Sequence, residues 1–171
     1  MTREEFQHFY PLLSAWIAAT LRQHARQAQT VATAGFPQLP LYFSAEFLGR
    51  AKFVAVDAVP IPPLTAMGLS QFAAFEQLDA AGITYLDTYF VRRDQVGTER
   101  LHAHELVHVA QWEVLGPEHF LAAYAEGLER FGYRDSPLEL MAYTVEEEFA
   151  RGGAPFDAVG RVRRKLAGRS G

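Results

Sequence analysis

The residues of this chain best suited to chemistry stand in LHAHELVHVAQW, residues 101 to 112, where His104 and His108 are four apart and Glu105 follows the first. On a helix each residue turns about 100°, so the two histidines differ by roughly 40° and stand one turn apart, which aims both imidazoles at one point. Gln111 falls within about 20° of His104 on that face. Ala103, Leu106, Val107, Ala110 and Val114 form a separate apolar stripe that anchors the helix in a core. The helix therefore has a packing face and a site face.

Two neutral imidazoles and one carboxylate suit zinc, leaving a fourth position at which a water becomes acidic enough to supply hydroxide near neutral pH. Glu105, beside the first ligand, is placed to take that proton as general base and to pass it to a leaving group. The chain has no cysteine, which excludes thiolate ligands, disulfides and cysteine nucleophiles, so a metal here must use nitrogen and oxygen. The bland alternative is a helix that happens to carry a buried histidine pair.

A third histidine in the H-x-x-G-x-x-H style is excluded, because Gln111 and Val114 hold those places. Glu139 is the first choice for the third ligand: it lies in the first turn of the helix after next, on a length of chain that can fold back over the motif helix. Against it, Ser136-Pro-Leu-Glu139 also spells a capping box, in which Glu139 bonds the Ser136 amide instead. Glu146 shares a face with Glu139, yet Glu146, Glu147 and Glu148 in a row read as a solvated face. His119 follows a Gly-Pro turn and reads as a surface histidine, and His102 points away from the pair and reads as exposed. Tyr143, one turn beyond Glu139, is a candidate to polarise a substrate carbonyl or to support a ligand, and otherwise a half-buried core tyrosine. Gln111 either orients a ligand or meets solvent.

The elements that must position these groups follow from pattern and punctuation. Thr2 and Glu5 make a capping box for a first helix, which Pro11 should end or kink. Beyond it, Leu13, Trp16, Ile17, Leu21, His24, Ala28 and Val31 recur at helical spacing, which predicts a second segment to Gly35. Ser44 starts a brief helical turn. Ala51 to Asp57 reads as a strand before the proline-stiffened VPIPP, and Ser70 as the cap of a helix ending near Gly82. Ile83 to Arg92 is the most strand-like segment. Thr98 opens the motif helix, 99 to 115, closed by Gly116; Pro117 opens the next, to Phe131, with Gly132 after it; Ser136 and Pro137 open a third to about Ala150. Residues 160 to 171 form a basic tail whose Arg161, Arg163, Arg164 and Lys165 read as a solvated end.

HELVH with a glutamate in a downstream helix resembles the gluzincin branch of the zincin metallopeptidases, the thermolysin-like architecture. The longer pattern HELVHVAQW, LGPEHFLAAY, GYRDSPLELMAY is also similar to that of small single-domain proteins of metallopeptidase type, with an HELxHxxQ helix and a later Y-R-x-x-P-x-E element. Together the resemblances cover about residues 83 to 150. They imply His104 and His108 as zinc ligands, Glu105 as base, Glu139 as third ligand, a sheet edge strand above the motif helix that binds extended peptide, and a peptide or protein substrate. Leu138 and Tyr143 stand where gluzincins often have an asparagine and an aspartate, so the support of a histidine ligand has no counterpart here.

The expected fold is therefore α+β: a single domain over 1 to 171, mainly helical, with a small sheet beside the HExxH helix. Residues 1 to 35 would form an N-terminal helical segment and 51 to 150 the sheet and site helices. Composition agrees with a globular chain of this length, with 49% hydrophobic and 21% charged residues. A net charge of -4 gives no reason to expect nucleic acid as partner. Phe9 to Leu21 is too short to span a membrane, and Arg3 is outweighed by Glu4 and Glu5 where a secretion signal would want a positive leader, so a cytoplasmic location is the default. The expected function is hydrolysis of a peptide or other amide by a zinc-activated water. Its rivals are a metal-binding domain of the same shape acting as a regulatory or interaction module, and a helical interaction protein in which Glu139 only caps its helix.

Overall fold

The computed structural model describes residues 1–168. Its first helix, α1, runs over Arg3–His24. The Thr2 hydroxyl accepts from the Glu5 amide and the Glu5 carboxylate accepts from the Thr2 amide, which is the predicted capping box. Pro11 does not end the helix but lies inside it. A mid-helix proline costs about 3 kcal/mol, whereas burying Phe6, Leu13 and Ile17 returns roughly 1.5–3 kcal/mol each, so packing on either side of the proline wins. The segment also stops at His24, short of Gly35. Gln29–Thr30 form a short strand, β1, followed by a 3-10 turn at Val31–Thr33.

Ser44 caps α2 (Ala45–Arg50), accepting from the Phe47 amide at 3.2 Å, and β2 follows over Lys52–Val56. The expected helix after Ser70 shortens to a 3-10 turn, Ser70–Phe72, running into α3 (Ala73–Glu76). The single strand expected over 83 to 92 is instead a tight hairpin, β3 (Gly82–Tyr85) and β4 (Thr88–Arg92). Leu86 makes the turn at φ 58°, a conformation leucine rarely takes, so no Gly, Asn or Pro announces the reversal.

The strands form one mixed sheet in the order β1-β2-β4-β3. β2 and β4 are parallel, with Lys52 opposite Thr88 and Val56 opposite Arg92; β1 and β3 are antiparallel edges. β4 lies in the interior, and its Tyr89, Phe90 and Val91 are wholly buried.

Against this sheet packs α4, Glu99–Phe131, which is broken at Gly116 (φ 73°, ψ 163°) into two arms, 99–115 and 117–131, as Gly116 and Pro117 predict. Helix α5 (Pro137–Ala150) packs chiefly on α4. The basic tail is not a loose end: Asp157 caps α6 (Ala158–Ala167), whose Ala158, Val159, Val162 and Leu166 are buried against the domain while Arg163, Arg164 and Lys165 are exposed. Arg161 bonds Glu148 at 2.8 Å. The last three residues of that tail, 169 to 171, lie outside the described residues. The architecture is thus α+β, mainly helical with a small sheet. Among the described residues no helix is long and apolar enough to cross a membrane.

Candidate metal centre

The predicted anchor of the motif helix is present: Ala103, Leu106, Val107 and Ala110 are fully buried, and only Val114, near the kink, is exposed. With that face fixed on the sheet, His104 and His108 turn their rings toward α5, where Glu139 in its first turn meets them. The His104 and His108 Nε2 atoms are 3.2 Å apart. The Glu139 carboxylate closes a triangle, with Oε2 3.3 Å from the His104 Nε2 and Oε1 3.3 Å from the His108 Nε2. Ser136 begins α5 without a side-chain cap, so the capping-box alternative for Glu139 fails.

The hydrogen bonds around the triangle fix the tautomers. The His104 Nδ1 donates to the Glu146 carboxylate at 3.0 Å. The His108 Nδ1 donates to the Gln111 Oε1 at 2.8 Å, while the Gln111 amide nitrogen donates to the Leu138 carbonyl at 3.0 Å and so keeps its oxygen toward the ring. A neutral imidazole carries one proton, and in each ring it sits on Nδ1, leaving both Nε2 lone pairs facing inward. They face each other and a carboxylate, and the buried Glu139 Oε2 has no hydrogen-bond partner. Such a ring of acceptors is stable only around a positive charge. Donors held 2.0–2.1 Å from one tetrahedral ion would be about 3.3 Å apart, close to the separation of the two nitrogens from each other and of each from one carboxylate oxygen. The donor set therefore fits a cation such as zinc.

Without a metal, that charge must come from protons. Burial opposes charge on His104, but hydrogen bonds to Glu139 and Glu146 outweigh it and raise its pKa to about 10. His108 moves up for the same reason, burial being outweighed by the Glu139 charge. Burial likewise works against the Glu139 carboxylate, yet the two histidines hold it ionised well below the usual range.

Glu105 is also buried and sits beneath the edge strand β3. The Thr84 hydroxyl donates to its Oε2 at 2.6 Å. Gly82 lies against the other oxygen, where a Cβ would overlap the carboxylate. Burial pushes the Glu105 pKa up, more than the neighbouring histidines pull it down. Glu105, His108 and Glu139 all open onto one cavity beneath α1.

Of the other singled-out residues, Glu146 and Gln111 support the two imidazoles. Tyr143 packs edge-on against the His104 ring, centroids 4.7 Å apart, but is not part of the cavity wall. His119 and Glu147 are exposed, and Glu148 is tied to Arg161, so none of them joins the cluster. His102 corrects the expectation of exposure: it is fully buried, with Nδ1 2.6 Å from the Tyr89 hydroxyl and Nε2 2.8 Å from the Val96 carbonyl. Sequence reasoning missed Thr84 and Gly82, which seat Glu105, and Tyr124, whose hydroxyl donates to the Glu139 Oε1 at 2.6 Å. Tyr124 was findable as the residue at i+16 from His108 on a chain that doubles back at Gly116; Thr84 and Gly82 carry no local signal. No family model, curated protein or solved structure matches this chain.

Proposed function

We propose that this protein is a metal-dependent hydrolase of amide bonds, holding zinc through His104, His108 and Glu139 and using Glu105 as general base. The single observation that carries the reading is the inward ring of acceptors at 3.2 to 3.3 Å, one of them a Glu139 oxygen with no hydrogen-bond partner. On this reading the chain is a small gluzincin-like enzyme acting on a peptide or another amide. Zinc in such a site supplies Lewis acidity, polarising a carbonyl and acidifying water.

The protein's own residues do the rest. Glu146 and Gln111 hold the imidazoles in the tautomer that presents Nε2, and Tyr124 steadies the carboxylate. Glu105 takes the proton of the attacking water; the water oxygen joins the carbonyl carbon, the C–N bond breaks, and the proton passes to the departing nitrogen. Burial raises the Glu105 pKa above the usual carboxylate value, which makes it a better proton acceptor. Thr84 and Gly82 fix where its carboxylate lies.

The test is metal content with amide hydrolysis, in wild type and Glu105→Gln. The account expects both proteins to retain zinc and only wild type to turn over, with a loss of at least about 100-fold in the variant. Gly82→Ala, which touches no ligand, should lower turnover while zinc is kept. Equal activity in Glu105→Gln and wild type would remove Glu105 from the mechanism.

A further inference from the structure

The cavity that opens on Glu105, His108 and Glu139 has a volume of about 100 Å³, and beyond that polar end its wall is largely apolar. Leu13 and Ile17 of α1 and Leu69 and Phe72 before α3 form one side. Leu121, Ala125 and Leu128 on the far arm of α4, at i, i+4 and i+7, pack against that group, so the apolar lining follows about 10 Å of helix. Gln7 of α1 bonds Glu118 of α4 across it.

Several polar atoms on that wall are already engaged. The Tyr85 hydroxyl donates to the Pro60 carbonyl at 2.7 Å, the Tyr124 hydroxyl to Glu139 at 2.6 Å, and the Trp112 indole to the Thr84 carbonyl at 3.2 Å. A peptide backbone drawn into this space would leave its amides unpaired, at a heavy desolvation cost that a hydrocarbon chain does not incur. The edge of β3 is restricted as well. The Arg92 amide bonds the Ala81 carbonyl, a register that turns the Thr84 carbonyl toward the free edge, and Trp112 occupies it. An added peptide strand would find that acceptor taken.

Building on the hydrolase reading above, we infer that the substrate is the amide of a short, unbranched acyl chain, whose hydrocarbon fills the cavity and whose carbonyl lies beside Glu105, His108 and Glu139. Water's oxygen adds to that carbonyl carbon and the C–N bond breaks, giving the short-chain carboxylic acid and an amine that keeps the transferred proton.

Calorimetric titration of the full chain with acetamide, hexanamide and octanamide tests this, in wild type and in Ala125→Trp, which fills the wall without touching the metal ligands. In wild type, affinity should rise roughly fourfold per added methylene up to hexanamide and little further at octanamide, which outgrows the cavity, and in Ala125→Trp this dependence should flatten while zinc content is unchanged. Should that variant not fold, as judged by circular dichroism, Ala125→Leu should shorten the longest chain that still gains affinity. Affinity independent of chain length in wild type overturns the inference, as does a length dependence that survives unaltered in the folded variants. Zinc measured on the same samples separates the two readings: full length dependence with no zinc retained would overturn the hydrolase and keep the cavity as a hydrocarbon site.

Discussion

His102 and the His104–His108 pair stand on one arm of one helix and are equally hidden, at 0%, 4% and 5% exposure, yet their surroundings ask opposite things of them. At His102 both ring nitrogens have protein partners. The Val96 carbonyl only accepts, so Nε2 carries the proton, and Nδ1 accepts from the Tyr89 hydroxyl; the neutral ring is complete, packed against Phe36 and Phe53. At the pair, each Nδ1 proton is spent on Glu146 or Gln111, and each Nε2 is left facing another acceptor. Burial does not distinguish a ligand from a core histidine. An inward nitrogen without a proton to meet does.

The largest expected difference is in metal retention. His108→Ala should lose stoichiometric zinc, and His102→Leu should keep it, as read by elemental analysis of the purified proteins. If both lose zinc, the contrast between the two corners breaks.

Stability should separate them next. His102→Leu strands the Tyr89 hydroxyl in the core, at about 1–3 kcal/mol for an orphaned buried group, and leaves the half-buried Val96 carbonyl without its partner, so denaturant unfolding should show a loss of that size with zinc still bound. A smaller effect belongs to the residues that hold the imidazoles. Gln111→Ala and Glu146→Gln should each weaken zinc by about 10- to 100-fold, measured by competition with a chelating dye, with little change in fold.

The smallest effect is a difference of sign with pH in the chelated, metal-free protein. The His104 pKa is raised to about 10, so its contribution to stability is full below the ordinary histidine value and lost as pH rises through about 10. Burial lowers the His102 pKa, so its contribution is present above the ordinary value and lost as pH falls through it. The stability gap between wild type and His104→Asn should therefore narrow on going from pH 6 to 10, and that for His102→Leu on going from pH 7 to 5. Parallel trends would mean that the two corners are alike.

Much of this site was legible because it is periodic. The packing stripe, the histidine pair one turn apart and the helix breaks at Gly116 and Gly132 all follow from helical spacing and backbone preference, and with them Glu139 comes beside the two histidines. Where tertiary packing decides, spacing was silent or misleading. Pro11 sits within a helix that buried side chains on both flanks hold together, and the β3–β4 reversal rests on a leucine at positive φ. His102 read as exposed because it lies off the pair's face, but the sheet covers that side of the helix too. Glu146 read as one of three solvated acids, and only the fold shows that its partner is a ring nitrogen forty-two residues earlier. Gly82 and Thr84 matter because an edge strand passes over Glu105, a relation between segments more than twenty residues apart.

The central claim is that one cation sits between His104, His108 and Glu139, and X-ray absorption at the zinc edge of the reconstituted full chain tests it most directly. The account predicts one tightly held zinc per chain, with scattering from two imidazoles at about 2.0–2.1 Å and oxygen donors completing a four-coordinate shell. A chain that retains no zinc, or a zinc shell without imidazole scattering, would contradict it.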